Sequence, residues 1–349
     1  MKLPKLIAHT LGLKEAATSS EQLVDTLRQP WVGFVVKTFI SLAAVYFIWN
    51  RVITAEQQLS LFEVLSAMQF ELRLIPLLLA ALTFMVLNWG MEVVKWKYLV
   101  GSQFPLTWKR SVKGVLSGIT FGLFTPNRVG ELFGRVLVLE SGQRIQGAML
   151  SFVNGVAQTI ATLTFGVLGI QLLLIEFGSA ALGWIPTVIL QVTVGLTLLL
   201  SLILFFRLEL FADLLLRFKR LQAYAEHVRV FERLPSELLY KLYGLSLVRF
   251  LTFVLQYLVV FQWMMPQYSV YEVLSASVLT MFSITLLPFF PVPDLLLRES
   301  FALGYFELYH FDPIVVSIVV FLVWGINVAF PALMGVVTLY TYRIIEFKR

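Results

Sequence analysis

Residues 117–140 read SGITFGLFTPNRVGELFGRVLVLE, and the fold turns on how this stretch is taken. Its flanks are apolar and rich in small residues, whereas its middle, TPNRVGE at 125–131, carries a proline, an arginine and a glutamate. A second stretch, LLPFFPVPDLLLRES at 286–300, follows the same plan. In a soluble domain both breaks would be surface loops. The rest of the chain excludes that setting. Of 349 residues, 58% are apolar and 14% charged, with a mean hydropathy of +0.83. A soluble domain carries roughly 25% charged residues. The fold class is therefore an all-α polytopic membrane protein.

About twenty apolar residues are needed to cross a hydrocarbon core of roughly 30 Å. Six runs meet this requirement, at 31–49, 74–94, 148–175, 181–206, 242–263 and 313–340. Two apolar segments, 111–140 and 271–310, are interrupted by the proline-containing breaks. Residues 1–30 are too polar for the apolar core of a cleaved signal peptide, so the first span is expected to stay. The organisation read from this is a cytoplasmic segment, 1–30, and a single membrane domain, 31–349. Its halves, 31–206 and 242–340, are joined by a basic amphipathic segment at 207–241.

Lys and Arg accumulate in cytoplasmic loops. Lys2, Lys5, Lys14 and Arg28 precede the first span; Lys95, Lys97, Lys109, Arg110 and Lys113 follow the second. The 207–241 segment adds Arg207, Arg217, Lys219, Arg220, Arg229, Arg233 and Lys241, and the C-terminal end adds Arg343, Lys348 and Arg349. Connections 177–185 and 264–270 carry no positive charge, and 50–73 sets Arg51 and Arg73 against three glutamates. These three face outward, with both termini cytoplasmic.

With residue 110 inside and residue 178 outside, 111–140 must enter and leave from the cytoplasmic side. Likewise 271–310 becomes a hairpin from the outside. Arms of about 13–17 residues span roughly 20–25 Å at 1.5 Å per residue, so the two breaks meet near mid-membrane. The result is an inverted repeat, in which paired interrupted segments mark a transporter's binding site. Eight ordinary spans with proline kinks are the alternative.

In the first break, Thr125 and Pro126 suit a helix start, as cap and first-turn residue. Arg128, Glu131 and Arg135 follow at spacings of three and four, which puts them on one helical face. Open helix amides beside arginine suit a phosphate or another anion. In the second break, Pro291 and Pro293 precede Asp294, which can pair with Arg298, followed by Glu299. Intramembrane charges cost at least about 2.5–3.5 kcal/mol each, so they normally face a bundle interior or a wet cavity. The expected substrate-binding set is Arg128, Glu131, Arg135, Asp294, Arg298, Glu299 and Arg249, with helix breaks at Pro126, Gly130, Pro291 and Pro293. Glu92 also lies within a span. The plainer role for Glu131 and Glu299 is to neutralise neighbouring arginines, and for Lys37 to snorkel to the interface.

Trp89, Trp96 and Trp108 read mostly as interfacial anchors. The 207–241 segment reads either as a helix on the anionic leaflet or as a solvated connector. Basic residues lie between apolar runs rather than in a stripe with interleaved aromatics, so no nucleic-acid partner is expected. The absence of cysteine excludes disulfides, thiolate metal sites and thiol nucleophiles. His9, His227 and His310 are scattered, and no nucleotide-binding or hydrolase motif appears. No metal or cofactor is expected.

The segments SGITFGLFTPNRVGELFGRVLVLE and LNWGMEVVKWKYL resemble the lysylphosphatidylglycerol synthase transmembrane family, also called flippase-like membrane domains, over nearly the whole chain. The family's Pro-x-Arg-x-Gly-Glu signature matches Pro126, Arg128, Gly130 and Glu131. Its second signature, a proline- and glycine-rich turn into Arg-Glu, is similar to PFFPVPDLLLRES, with Arg298 and Glu299 as the matching pair. Here Val, Asp and Leu replace the usual glycines. The resemblance implies movement between leaflets of a phospholipid or lipid-linked head group, with anionic or aminoacylated lipids as partners. Bifunctional members carry a soluble transferase domain that the chain read to Arg349 does not show, so synthase activity is not expected. A noncatalytic partner of a lipid-modifying or glycosyl-transferring enzyme is the alternative. A membrane-embedded lipid enzyme using Glu131 or Asp294 is a weaker one. Homo-oligomerisation stays open.

Overall fold

Inside a bilayer an apolar run can satisfy its backbone polar groups by intrahelical hydrogen bonds, and each long apolar run among the described residues of the computed structural model is helical. The structure describes residues 74–123, 125, 128–178, 184–218, 222, 225–286 and 294–340. The expected span at 31–49, Lys37, and the breaks at Pro126, Pro291 and Pro293 lie outside the described residues. No strand occurs among the described residues.

In chain order the helices are α1 (Leu74–Gly101), α2 (Trp108–Gly122), α3 (Gly130–Val136), α4 (Arg144–Phe177), α5 (Trp184–Phe206) and α6 (Leu208–Leu216). The short α7 (Ala225–Val228) leads into a 3₁₀ turn at Arg229–Arg233, then α8 (Ser236–Met264), α9 (Val270–Leu286), α10 (Asp294–Glu307) and α11 (Pro313–Trp324). A π turn, Gly325–Ala329, joins α11 to α12 (Phe330–Leu339) without a break in the rod. Five of these segments are long and apolar enough to cross a membrane: α1, α4, α5, α8 and the α11–α12 rod. This is the organisation of a multi-pass membrane protein. Thr107 caps α2 by accepting from the Arg110 amide at 3.3 Å. Asp312 caps α11 through the Ile314 amide at 2.8 Å, with Pro313 in the first turn.

Both interrupted segments are antiparallel helix pairs. In the first, Gly134 faces the backbone of Ser117 and Gly118, while Gly130 lies against the Phe121 carbonyl. Its second arm is shorter than expected, seven residues or about 10 Å, because the chain turns again before α4. In the second, Ser283 bonds Tyr305 at 2.7 Å and the Tyr309 hydroxyl donates to Ser275 at 2.9 Å, tying α9 to α10. Across the molecule α1 packs on α8, α2 on α12, and α9 on α4. At the α2–α12 crossing, small residues let the backbones approach, as is usual between membrane helices. Gly335 abuts the Leu116 carbonyl, Thr120 donates to the Ala332 carbonyl at 2.8 Å, and Ser117 bonds Thr338 at 2.9 Å.

One core joins α1 to α4 with the segment after α5, a second gathers α8 to the α11–α12 rod, and a smaller third lies between α4, α5 and α9. The 207–241 segment is not a solvated connector. Leu208, Ala212, Val228, Val230, Phe231 and Leu234 are buried in the first core, while Arg207, Arg217, Arg229, Arg233 and Lys241 stay exposed. Trp89 and Trp96 are buried rather than interfacial, because each indole N–H has a partner inside the bundle: the Asn327 carbonyl and the Ser151 hydroxyl, both at 2.9 Å. Trp108 is exposed, as an anchor would be.

A Cβ at position 134 would stand 2.5 Å from the Ser117 carbonyl oxygen and 2.7 Å from the Gly118 Cα, atoms that cannot rotate away. Gly134→Val is therefore expected to destabilise the folded chain by about 1–3 kcal/mol. Gly155→Ala, with nothing within 4 Å, should leave the detergent-solubilised melting midpoint unchanged or slightly raised.

Candidate functional site

Four described helices converge on one carboxylate. Glu92 and Lys95 lie one turn apart on α1, Glu131 and Arg135 on α3, Asn154 and Gln158 on α4, and Arg249 on α8. Glu92 Oε1 accepts from Arg135 Nη1 and from Asn154 Nδ2, both at 2.6 Å. Glu92 Oε2 stands 3.4 Å from both Lys95 Nζ and Arg249 Nη1. Arg135 also reaches Glu131 at 2.8 Å, and Arg128 Nη2 lies 2.5 Å from the other Glu131 oxygen. Four cations thus share two carboxylates in one connected network, which leaves two positive charges in excess. The network has an inside and an edge. The side chains of Lys95, Glu92 and Arg135 are 0%, 3% and 5% exposed, against 27% for Arg128 and 17% for Glu131.

Arg128 sits at the tip of the first pair, ahead of α3, with a left-handed backbone (φ 58°). A side chain with a Cβ there costs roughly 1–2 kcal/mol relative to glycine. Its Nε has no protein partner, nor does Arg135 Nε, and Arg128 Nη2 approaches Glu131 outside hydrogen-bonding geometry. The guanidinium groups of Arg128 and Arg249 lie 5.7 and 5.1 Å from the Trp89 ring, within cation–π range. Beside them runs a buried amide chain. Gln256 accepts from Asn327 at 2.6 Å, and Asn88 donates to Asn327 at 3.3 Å. Asn327 belongs to the π turn, a feature frequent at functional sites.

The second pair carries its own charges. Arg298 reaches both Asp294 oxygens at 3.2 Å, donates to the Met281 sulfur at 3.0 Å, and lies over the Phe253 ring. The Tyr257 hydroxyl lies beside Arg298 without hydrogen-bonding geometry, and Arg298 Nε is unpartnered. Asp294 is within Coulombic range of Arg128.

No protein-family model, curated protein or solved structure matches the chain. Geometry therefore carries the functional reading.

Arg128, Glu131, Arg135 and Arg249 come together, Asp294 and Arg298 form an adjoining pair, and Glu299 is half-buried one residue further along α10. Two local expectations change. The helix begins at Gly130, so Arg128 precedes it rather than sharing its face, and the Gly130 amide is taken by Thr125 Oγ1 at 2.7 Å instead of facing an anion. Lys95, counted as a loop charge, is wholly buried because Glu92 and Gln158 hold it inside the bundle. Asn154 and Gln158 carried a signal that would have found them: two amides four residues apart within an apolar run lie on one helical face.

Removing one partner of a buried ion pair strands the other. Glu92→Gln is expected to cost about 3–5 kcal/mol of stability and to lower the thermal midpoint of the purified protein well beyond the effect of Glu131→Gln. Equal, small effects would show that Glu92 is not the hub.

Proposed function

We propose that the chain moves a lipid with an anionic head group between leaflets, as its resemblance to the flippase-like membrane domains implies. The observation that carries this reading is the pair of excess positive charges in the Glu92–Arg135 network, reached through the partly exposed Arg128 at a helix break. An uncompensated cation within a membrane domain is costly, and a phosphate on a head group would supply the missing charge while the acyl chains stay in the bilayer. Arg128 offers an unpartnered Nε to that phosphate, and Arg298 offers another from the second helix pair.

In the same reading the two helix pairs are re-entrant hairpins, and the molecule is an inverted repeat. The chain order supports it: span, pair and span occur as α1, α2–α3, α4 and again as α8, α9–α10, α11–α12. Exchange of the halves would carry the α2–α12 contact onto α9–α4 and α1–α8 onto itself, and all three contacts are present. Lys and Arg placement puts the 207–241 segment in the cytoplasm and 264–270 outside.

Transport of fluorescent phosphatidylglycerol and its aminoacylated form in proteoliposomes tests the function. Arg128→Gly is the informative variant, because glycine suits the left-handed backbone there and misfolding would not explain a loss. Its rate is expected to fall by roughly tenfold or more, the loss of a charge-assisted hydrogen bond. Wild-type transport by folded Arg128→Gly would refute the assignment. Since the chain has no cysteine, Gln267→Cys and Arg229→Cys report topology directly. The first is expected to react with an impermeant maleimide in intact cells and the second only after permeabilisation.

A further inference from the structure

We infer that the head group this site takes is a phosphomonoester, a dianion with three terminal oxygens, rather than the monoanionic phosphodiester of an ordinary glycerophospholipid. The inference rests on the anion-site reading above and names its ligand class.

The charges are counted from contacts. Glu92 holds Arg135 at 2.6 Å, with Lys95 and Arg249 at 3.4 Å, and Glu131 holds Arg135 at 2.8 Å and Arg128 at 2.5 Å. Lys95 stands as an ammonium beside the Glu92 carboxylate, and guanidinium keeps its proton in proteins. Asn154 and Gln158, which complete the network from α4, are neutral. The second helix pair does not alter the sum, because Arg298 is matched by both oxygens of Asp294 at 3.2 Å. A monoanion would therefore leave one positive charge unmatched among side chains that water scarcely reaches, and an unmatched intramembrane charge is costly. A dianion closes the sum.

The free donors point the same way. Three buried guanidinium nitrogens, Arg128 Nε, Arg128 Nη2 and Arg135 Nε, have no hydrogen-bond acceptor among the described residues. Glu131 keeps the two side chains together, one carboxylate oxygen on each. On α2, Gly118 and Gly122 leave room for them: a Cβ at 118 would stand 3.3 Å from Arg135 Nε, and one at 122 would stand 3.4 Å from Arg128 Cβ. Buried donors are ordinarily satisfied, and leaving one unmade beside a charge is expensive. A phosphomonoester brings three strong acceptor oxygens; a diester has spent one of them on its second ester link. Arginine forks suit such an oxygen face.

Soluble phosphates share this chemistry. The surroundings of Arg128 favour a lipid, since the next residue, Val129, and Phe133 on α3 are exposed apolar side chains beside the charged tip. Acyl chains would lie against them while the phosphate meets the arginines.

The test is calorimetric titration of the full chain in detergent at pH 8.5 with two short lipids that differ by one methyl group, dihexanoyl-phosphatidate and dihexanoyl-phosphatidylmethanol. At that pH a phosphomonoester, whose second pKa is about 6, is a dianion, and its methyl ester is a monoanion. Wild type is expected to bind phosphatidate roughly tenfold or more tighter, the difference made by one charge-assisted hydrogen bond. Arg128→Gly removes one charge and two of the three free donors, so there the ratio should fall toward one. Glycerol 3-phosphate, the same dianion without chains, should bind at least roughly tenfold more weakly than phosphatidate, the burial of a few methylene groups being worth that much. Equal binding of the two would assign the site to a soluble phosphate and overturn the lipid ligand. Equal affinity of wild type for the two lipids would overturn the inference whether or not the variant folds, as would an undiminished ratio in folded Arg128→Gly. Absence of binding by either lipid would instead remove the anion-site reading beneath it.

Discussion

The carboxylate of Glu92 is the constraint on which the rest depends. It receives Arg135 from α3, Asn154 from α4, and Arg249 from α8, while Lys95 closes from its own helix. A helix pair inserted into a bundle needs something to fix its depth, and apolar packing alone slides at little cost. A buried ion pair does not slide, because moving either partner strands a charge where water cannot reach it. Arg135 thus sets the depth of the first pair, and Arg128 at its tip is set with it.

The tight backbone approaches serve the same end. Gly130 and Gly134 bring α3 against α2, and Gly335 brings α12 against α2, so the short α3 is clamped by atoms without rotational freedom. Interhelical hydrogen bonds from Thr120, Ser117 and Trp89 finish each crossing with a polar contact that lipid cannot replace. The aromatic stack of Phe261, Phe306, Phe311 and Tyr268 does the corresponding work in the second half by shape rather than by charge.

Helix class, five of the spans and the pairing of the interrupted segments were legible in the sequence, because hydropathy and proline placement act locally. Arg128, Glu131, Arg135 and Arg298 were legible as well, since a charge between apolar runs stands out. The partners were not. Lys95 looked like a loop charge because the apolar run ends at residue 94, just before it, although α1 continues to Gly101. That the pair is buried follows from Arg135, Asn154 and Arg249, all distant in sequence, and periodicity carries no information about such contacts. Trp89 and Trp96 misled for a related reason: tryptophan favours the interface until something inside accepts its N–H, and the acceptors here are Asn327 and Ser151. The burial of Val230 and Phe231 likewise depends on Phe211 and the first core rather than on the basic character of their own segment.

The left-handed backbone at Arg128 sets two selective demands against each other at one position. Stability alone would favour glycine there, or an asparagine, and would erode the arginine over time. An arginine where the backbone disfavours it presents its guanidinium at a local cost, and its neighbours must supply the stability it withholds. Replacing it by glycine would relieve that cost and, in the same step, strip the tip of its guanidinium.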